Sequence, residues 1–273
     1  MGASVSGSGF SFGDDMLEIT PIPAFEDNYI WALINRATGT AVVVDPGDAN
    51  PVEAFLAAHE LTLTGILVTH HHGDHIGGIS SLCAEREIPV FGPANESIAT
   101  VTQRLRDGDT HPLPGNATHF FSVIDVPGHT RGHIAYRVGD HLFCGDTLFV
   151  MGCGRLFEGT PAQLHRSLQR IASLPAQTAV FCAHEYTLSN LKFALAVEPS
   201  NEALQRRAFV VGSARASGLP TVPTTVAEEL ETNPYLRCHS PEIRASAERF
   251  AGSSLANEVE VFAALRRWKN EFR

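Results

Sequence analysis

The sequence predicts a layered α/β domain followed by a small, mainly helical one. Two observations predict this. Short apolar runs alternate with turn residues and helix signals through the first two thirds of the chain, which suits sheets covered by helices. From about residue 187 the spacing of apolar residues becomes helical, broken by Pro199 and by the Pro-rich stretch Leu219 to Pro223. Residues 16–186 are therefore expected to form the layered domain and residues 187–273 the small helical one. Residues 1–15, rich in Gly and Ser without a basic start or an apolar stretch, are expected to be a flexible extension rather than a signal peptide, with Met16 as a natural start.

The elements follow in order. Ile30 to Ile34 and Ala41 to Val44 flank Ala37-Thr38-Gly39-Thr40 and read as a hairpin. Asn50-Pro51-Val52-Glu53 reads as a helix start, with a capping side chain, Pro at the first position and Glu reaching back. Gly65 to Val68 is continuously apolar, as a buried strand is. A helix is expected from about His75 to Glu87, ended by Ile88-Pro89. Strands are expected at Phe120 to Val126, Ile134 to Val138 and Leu142 to Cys144, with Gly139-Asp140 as a tight turn. Thr160-Pro161-Ala162-Gln163 opens another capped helix, and Ala179 to Phe181 is the last strand expected. Helices are expected at Leu188 to Val197, Asn201 to Ala216, Pro241 to Phe250 and Glu258 to Lys269.

Composition narrows the function. The 273 residues carry 20 basic and 30 acidic side chains, a formal charge of -10, which argues against nucleic-acid and anionic-membrane partners. No apolar run approaches the roughly 20 residues that span a bilayer. Five scattered cysteines without a Cys-x-x-Cys pair suit a reducing compartment, so a cytoplasmic protein is expected; it is separately expected to be a monomer.

The chemistry concentrates in Thr69-His70-His71-His72-Gly73-Asp74-His75, directly after the buried strand. A loop leaving a strand end presents its side chains at the sheet edge, where α/β folds open their sites. His70, His72, Asp74 and His75 are imidazoles and a carboxylate, the donor set of divalent Zn, Fe or Mn. His129, Asp146 and His184 each follow another strand-like run and can return to the same edge. Together these residues exceed what one ion with an open position needs and suit two ions sharing a carboxylate. His71, between two ligands, is expected to point away. His133, four residues after His129 in an apolar strand, reads as a core histidine. Asp45, at the end of a strand, reads as a turn residue or as a group that orients a ligand histidine.

The spacing His70-x-His72-x-Asp74-His75, with His129, Asp146 and His184, resembles the metal signature of the metallo-β-lactamase superfamily. That resemblance implies a four-layer αββα sandwich in which His70, His72 and His129 hold one ion, Asp74, His75 and His184 hold the other, and Asp146 bridges them. A narrower resemblance, from about residue 17 to the C-terminus, is to glyoxalase II, the hydroxyacylglutathione hydrolases. It rests on Ala24-Phe25-Glu26-Asp27-Asn28-Tyr29, Gly145-Asp146-Thr147-Leu148-Phe149, the segment Gly152 to Thr160, His184-Glu185-Tyr186-Thr187 and Arg266-Arg267-Trp268-Lys269.

This resemblance implies two divalent ions, zinc by preference with iron or manganese compatible. It implies Asp74 and Asp146 as catalytic ligands, and Arg155, Tyr186, Arg266 and Lys269 as contacts to a glutathione thioester. The implied reaction is hydrolysis of S-D-lactoylglutathione to D-lactate and glutathione, the second step of methylglyoxal detoxification, by a hydroxide bridging the ions. Phe157 stands where some members carry Tyr and is left out of the polar contacts. An iron-dependent persulfide dioxygenase of the same superfamily is the alternative; the Gly-Cys-Gly-Arg segment and the cationic tail favour hydrolysis. A β-lactamase is disfavoured by Asp146 in the bridging position, and a phosphodiesterase acting on nucleic acid by the lack of a broad basic surface. A zinc-stabilised binding module is disfavoured by a donor set without cysteine.

Overall fold

The computed structural model describes residues 17–272; the extension expected over residues 1–15 and the start at Met16 lie outside them. The chain divides into two compact units between Val123 and Ile124.

The first unit carries β1 (Leu17–Ala24), β2 (Asn28–Asn35), β3 (Thr40–Val44), α1 (Ala49–Ala58), β4 (Thr62–Leu67), the single turns α2 (Gly73–Ile76) and α3 (Ile79–Leu82), β5 (Val90–Pro93), β6 (Gln103–Leu105), β7 (Thr110–Leu113) and all but the last two residues of β8 (Asn116–Asp125). One sheet runs β1-β2-β3-β4-β5-β6. Its first strands pair antiparallel, Leu17 opposite Asn35 and Asn35 opposite Thr40, as the expected hairpin requires. From β3 onward the pairing is parallel, with Val44 opposite Leu67 and Ile66 opposite Val90. One face of this sheet buries Ile22, Ile30, Ile34, Val43 and Ile66 against Val52 and Leu56 of α1 and Ile79 and Leu82 of α3. That burial is the main stabilising term of the unit, at about 25 cal/mol per Å² of apolar surface removed from water.

Strands β5, β6 and β7 were not expected, and three further details depart from expectation. Strand β1 was not legible because Pro21 and Pro23 lie within it; it is the edge strand of its sheet, where a missing N–H is tolerated. Helix α1 is capped by Asp48, whose carboxylate accepts from the Asn50 N–H, two residues before the expected cap. The helix expected from His75 to Glu87 is broken into α2 and α3 at Gly77-Gly78. A Cβ at Gly77 would lie 2.6 Å from the Gly47 carbonyl oxygen, and one at Gly78 2.6 Å from the Ala49 nitrogen. The close approach of the Pro46–Ala49 backbone thus overrides helical periodicity there.

The second unit carries β9 (Ile134–Val138), β10 (His141–Gly145), the two-residue strands β11 (Leu148–Phe149) and β12 (Gly152–Cys153), α4 (Pro161–Ala172), β13 (Ala179–Cys182), α5 (Thr187–Val197), α6 (Glu202–Ala216), β14 (Thr224–Thr225), α7 (Val226–Thr232), α8 (Pro241–Ala251) and α9 (Glu258–Glu271). Strand β10 pairs antiparallel with β9 and parallel with β13. Helix α4 starts on the expected capping box of Thr160 and Gln163 and buries Leu164, Leu168 and Ile171. Helix α9 packs against α4 and α8, and α5 against α6. Strands β11, β12 and β14 and helix α7 were not expected. Helix α7 owes its start to a Thr225/Glu228 capping box, a signal present in the sequence but set in a Pro- and Thr-rich stretch. Among the described residues no helix is long and apolar enough to cross a membrane.

Candidate metal centre

In the first unit the parallel pair β3/β4 sets the geometry. Val44 is opposite Leu67, so the residues that follow leave the same edge of the sheet side by side. Asp45 takes a left-handed backbone, φ 52°, rare for a residue with a Cβ, and its N–H donates to the Leu67 carbonyl oxygen at 2.9 Å. Its buried carboxylate accepts from the Thr69 N–H and the Thr69 hydroxyl, both at 2.7 Å, and lies 3.0 Å from His75 Nδ1. Asp45 therefore fixes the His75 ring with Nδ1 toward itself and leaves Nε2 for another partner, 3.6 Å from an Asp74 oxygen. Thr69 Oγ1 lies 3.1 Å from His70 Nδ1 in the same way, and His70 Nε2 faces His72 Nδ1 at 3.0 Å. His71 turns to Glu96, with Nδ1 2.9 Å from a carboxylate oxygen.

In the second unit a second parallel pair does the same. Gly145 at the end of β10 is opposite Cys182 at the end of β13, and the Ala183 N–H donates to the Gly145 carbonyl oxygen at 3.2 Å. Asp146 and His184 follow directly. Asp146 Oδ1 is 3.3 Å from His184 Nε2, and Asp146 Oδ2 is 3.3 Å from His129 Nε2. His129 sits on the turn between β8 and β9, and its Nδ1 lies 2.9 Å from the Arg155 carbonyl oxygen, which again presents Nε2. Two neighbouring ligands of a tetrahedral zinc ion, at about 2.0–2.1 Å from it, stand roughly 3.3 Å apart. Each oxygen of Asp146 thus stands at ligand-to-ligand distance from a different imidazole, and the donor set fits metal ions. His133 is fully buried and accepts from the Asp146 N–H at 3.2 Å, so it holds the backbone of Asp146.

The expected substrate contacts all lie in the second unit. Tyr186, half-exposed, stacks on the His184 ring with centroids 4.7 Å apart and planes 4° from parallel. Lys269 Nζ donates to the carbonyl oxygen and to Oγ of Ser189 in the first turn of α5, both at 2.8 Å. Burial, with repulsion from Arg266 and Arg155, lowers its ammonium pKa to about 8. Arg155 is exposed. Arg266 is only 5% exposed and donates from Nη1 to the Cys153 carbonyl oxygen at 2.8 Å, its guanidinium 5.4 Å from the Tyr235 ring centroid. It contributes positive charge and ties α9 to the end of β12. Phe157 is exposed, its ring edge-on to His129 with centroids 5.2 Å apart.

Sequence reasoning passed over the groups that hold the Leu148–Cys153 hairpin between Asp146 and Arg155. Fully buried Glu229 accepts from the Met151 N–H at 2.8 Å, and Asn233 donates to the Phe149 and Gly152 carbonyl oxygens at 3.2 and 2.9 Å. Both lie on or just after α7, so only recognition of its capping box could have drawn attention to them. The five cysteines are free thiols. Burial pushes the Cys144 and Cys153 thiols up to about 12 and 11, which removes them as nucleophiles at neutral pH.

Comparison with known proteins bears on both parts of the chain. Residues 28–184 match the family model of the metallo-β-lactamase superfamily, and residues 185–272 that of the hydroxyacylglutathione hydrolase C-terminus. The chain is 54% identical over 256 residues to a hydroxyacylglutathione hydrolase from Alkalilimnicola ehrlichii, with 94% of this chain and 100% of that protein covered. It is 52% identical over 255 residues to one from Halorhodospira halophila, covering 93% and 99%. Among solved structures it resembles ETHE1 from Myxococcus xanthus, with a TM-score of 0.59, 28% identity and 90% and 95% coverage. It also resembles a metallo-β-lactamase from Staphylococcus aureus, with a TM-score of 0.60, 19% identity and 94% and 72% coverage, a likeness of fold. The fold is the metallo-β-lactamase fold with a helical C-terminal part, and the protein is a metal-dependent hydrolase. The chain belongs to the hydroxyacylglutathione hydrolase family of the metallo-β-lactamase superfamily.

Proposed function

We propose that the protein hydrolyses S-(2-hydroxyacyl)glutathione thioesters, taking S-D-lactoylglutathione to D-lactate and glutathione in the second step of methylglyoxal detoxification. In this reading His70, His72 and His129 would hold one divalent ion, Asp74, His75 and His184 would hold a second, and Asp146 would be shared by both. Zinc suits the nitrogen and oxygen donors, with iron or manganese compatible. The observation that carries the reading is the Asp146 carboxylate, whose two oxygens each stand 3.3 Å from a different imidazole Nε2.

The chemistry that two such ions supply is a water acidified toward neutral pH and a polarised thioester carbonyl. Water adds to the carbonyl carbon, the C–S bond breaks, and the products are a carboxylate and a thiol. The protein's own residues position what reacts. Asp45, Thr69 and the Arg155 carbonyl fix the rotations of His75, His70 and His129, so little reorganisation remains for the reaction itself. Asp74 and Asp146, as ligands, orient the attacking water. Arg155 and Lys269 attract the glutathione carboxylates, Arg266 adds charge from behind Cys153, and Tyr186 offers its exposed edge.

We assign residues 16–186 to catalysis and residues 187–273 to substrate binding. The free thiols support a reducing compartment, the cytoplasm. The protein is read as a monomer. The test is thiol release from S-D-lactoylglutathione by protein of measured metal content. Release proportional to occupancy is the expected result. Metal-replete protein that leaves the thioester intact, or that consumes oxygen with a persulfide instead, would refute the reading.

A further inference from the structure

We infer that Asn28, at the start of β2, is the positioning residue for the Asp74 carboxylate. The inference rests on the reading of Asp74 as a metal ligand, and it assigns a task to the turn between β1 and β2. Asn28 is 7% exposed and pairs with Ala24 across the mouth of that turn. Its side-chain Nδ2 donates to Asp74 Oδ2 at 3.1 Å, across 46 residues of sequence. The same oxygen is 3.6 Å from His75 Nε2, the ring nitrogen other than the one that meets Asp45. One hydrogen bond from Asn28 therefore reaches the oxygen that stands beside the second ligand of the same proposed ion.

The backbone of Asp74 is fixed from the same side. A Cβ at Gly47 would lie 1.9 Å from the Asp74 carbonyl oxygen and 2.9 Å from the Phe25 ring, so Asp74, Gly47 and Phe25 are in close contact. Phe25 itself holds a left-handed backbone, φ 51°, although it has a Cβ and is largely exposed. An unfavourable conformation at an exposed apolar residue is kept only where surrounding structure over-determines it, and such residues cluster at functional sites. Here one turn supplies both Asn28, on the Asp74 carboxylate, and Phe25, near its backbone through Gly47.

The chemistry requires a donor there. The Asp74 side chain is 43% exposed and has rotamers to lose, whereas His75 is locked by Asp45. An amide N–H is neutral and donates only, so it restricts the carboxylate without competing with it for a cation. Groups that orient metal ligands in this way are each worth about tenfold to a hundredfold in metal affinity or activity.

The test uses Asn28→Ala and Asn28→Leu, the second keeping the side chain's volume, with Asp74→Ala as control. Apo protein is titrated with Zn2+ against a chromophoric chelator, thermal stability of the apo form is measured, and kcat and KM are determined separately. The expected result is one ion bound with unchanged affinity and the other weakened about tenfold to a hundredfold. The apo melting temperature should be unchanged, and kcat should fall while KM stays within about twofold. Both ions weakened together with a lower melting temperature would show a merely structural residue and overturn the inference. Unchanged affinity for both ions would also overturn it, leaving the ligand reading intact if Asp74→Ala loses an ion. If Asp74→Ala keeps both, the reading of Asp74 as a ligand falls and the inference falls with it.

Discussion

Asp45 and Asp146 occupy matching places in the two units, yet they do different work. Each comes just after a strand that pairs in parallel with another, β3 with β4 and β10 with β13, and each lies beside histidine-bearing backbone leaving the neighbouring strand. Asp45 is buried and both its oxygens are taken by Thr69 and the Nδ1 side of His75. Asp146 faces the Nε2 atoms of His129 and His184, whose rings are set by the Arg155 carbonyl in one case and stacked on Tyr186 in the other. Topology decides that an aspartate stands at the strand end. The two differ in which ring nitrogen they meet, Nδ1 for Asp45 and Nε2 for Asp146, and the proposed function rests on that difference.

That distinction can be broken by mutation. Asp146→Ala, which removes a ligand shared by both proposed ions, should abolish tight binding of both and lower kcat by at least about a hundredfold. Asp45→Ala should weaken chiefly the ion held by His75, about tenfold to a hundredfold, because the imidazole remains and only its orientation is lost. Equal metal loss in the two variants, measured by elemental analysis after dialysis, would erase the difference drawn between them.

Smaller effects sharpen the account of the second unit. The Lys269 ammonium is charged below its pKa, and lowering from the ordinary 10.5 to about 8 brings loss of that charge into the assay range. KM for a glutathione thioester should therefore rise several-fold as pH increases through about 8, while Lys269→Arg, which stays protonated, should flatten that rise. A flat KM profile in the unaltered enzyme would remove Lys269 from substrate binding. The smallest effect concerns the thiols. Cys144, Cys153, Cys182 and Cys238 in the second unit are buried, whereas Cys83 in the first is partly exposed. A thiol reagent should label Cys83 in native protein before any other cysteine; early labelling of Cys153 would contradict the tie between Arg266 and the end of β12.

The histidine loop was legible because its donors are local: His70, His72, Asp74 and His75 are fixed relative to one another by one turn of chain. Asp146 and His184 were legible because each follows an apolar strand. The neighbouring groups were not, because their roles depend on contacts across long sequence separations. Thr69 reaches Asp45 across 24 residues and Asn28 reaches Asp74 across 46. Arg266 and Lys269 look alike in sequence, three apart on one helix. Only burial separates them, committing Arg266 to the Cys153 carbonyl and Lys269 to Ser189. The same limit applies to the fold: continuous apolar runs around a turn revealed β2 and β3, but prolines hid β1 and paired glycines broke the helix expected after His75.

The proposed function turns on Asp146 as a carboxylate shared by two ions. Anomalous diffraction from crystals of metal-loaded protein tests it most directly. The account predicts two peaks about 3.5–4 Å apart, one against each oxygen of Asp146. A single peak, or Asp146 outside the coordination of either ion, would contradict it.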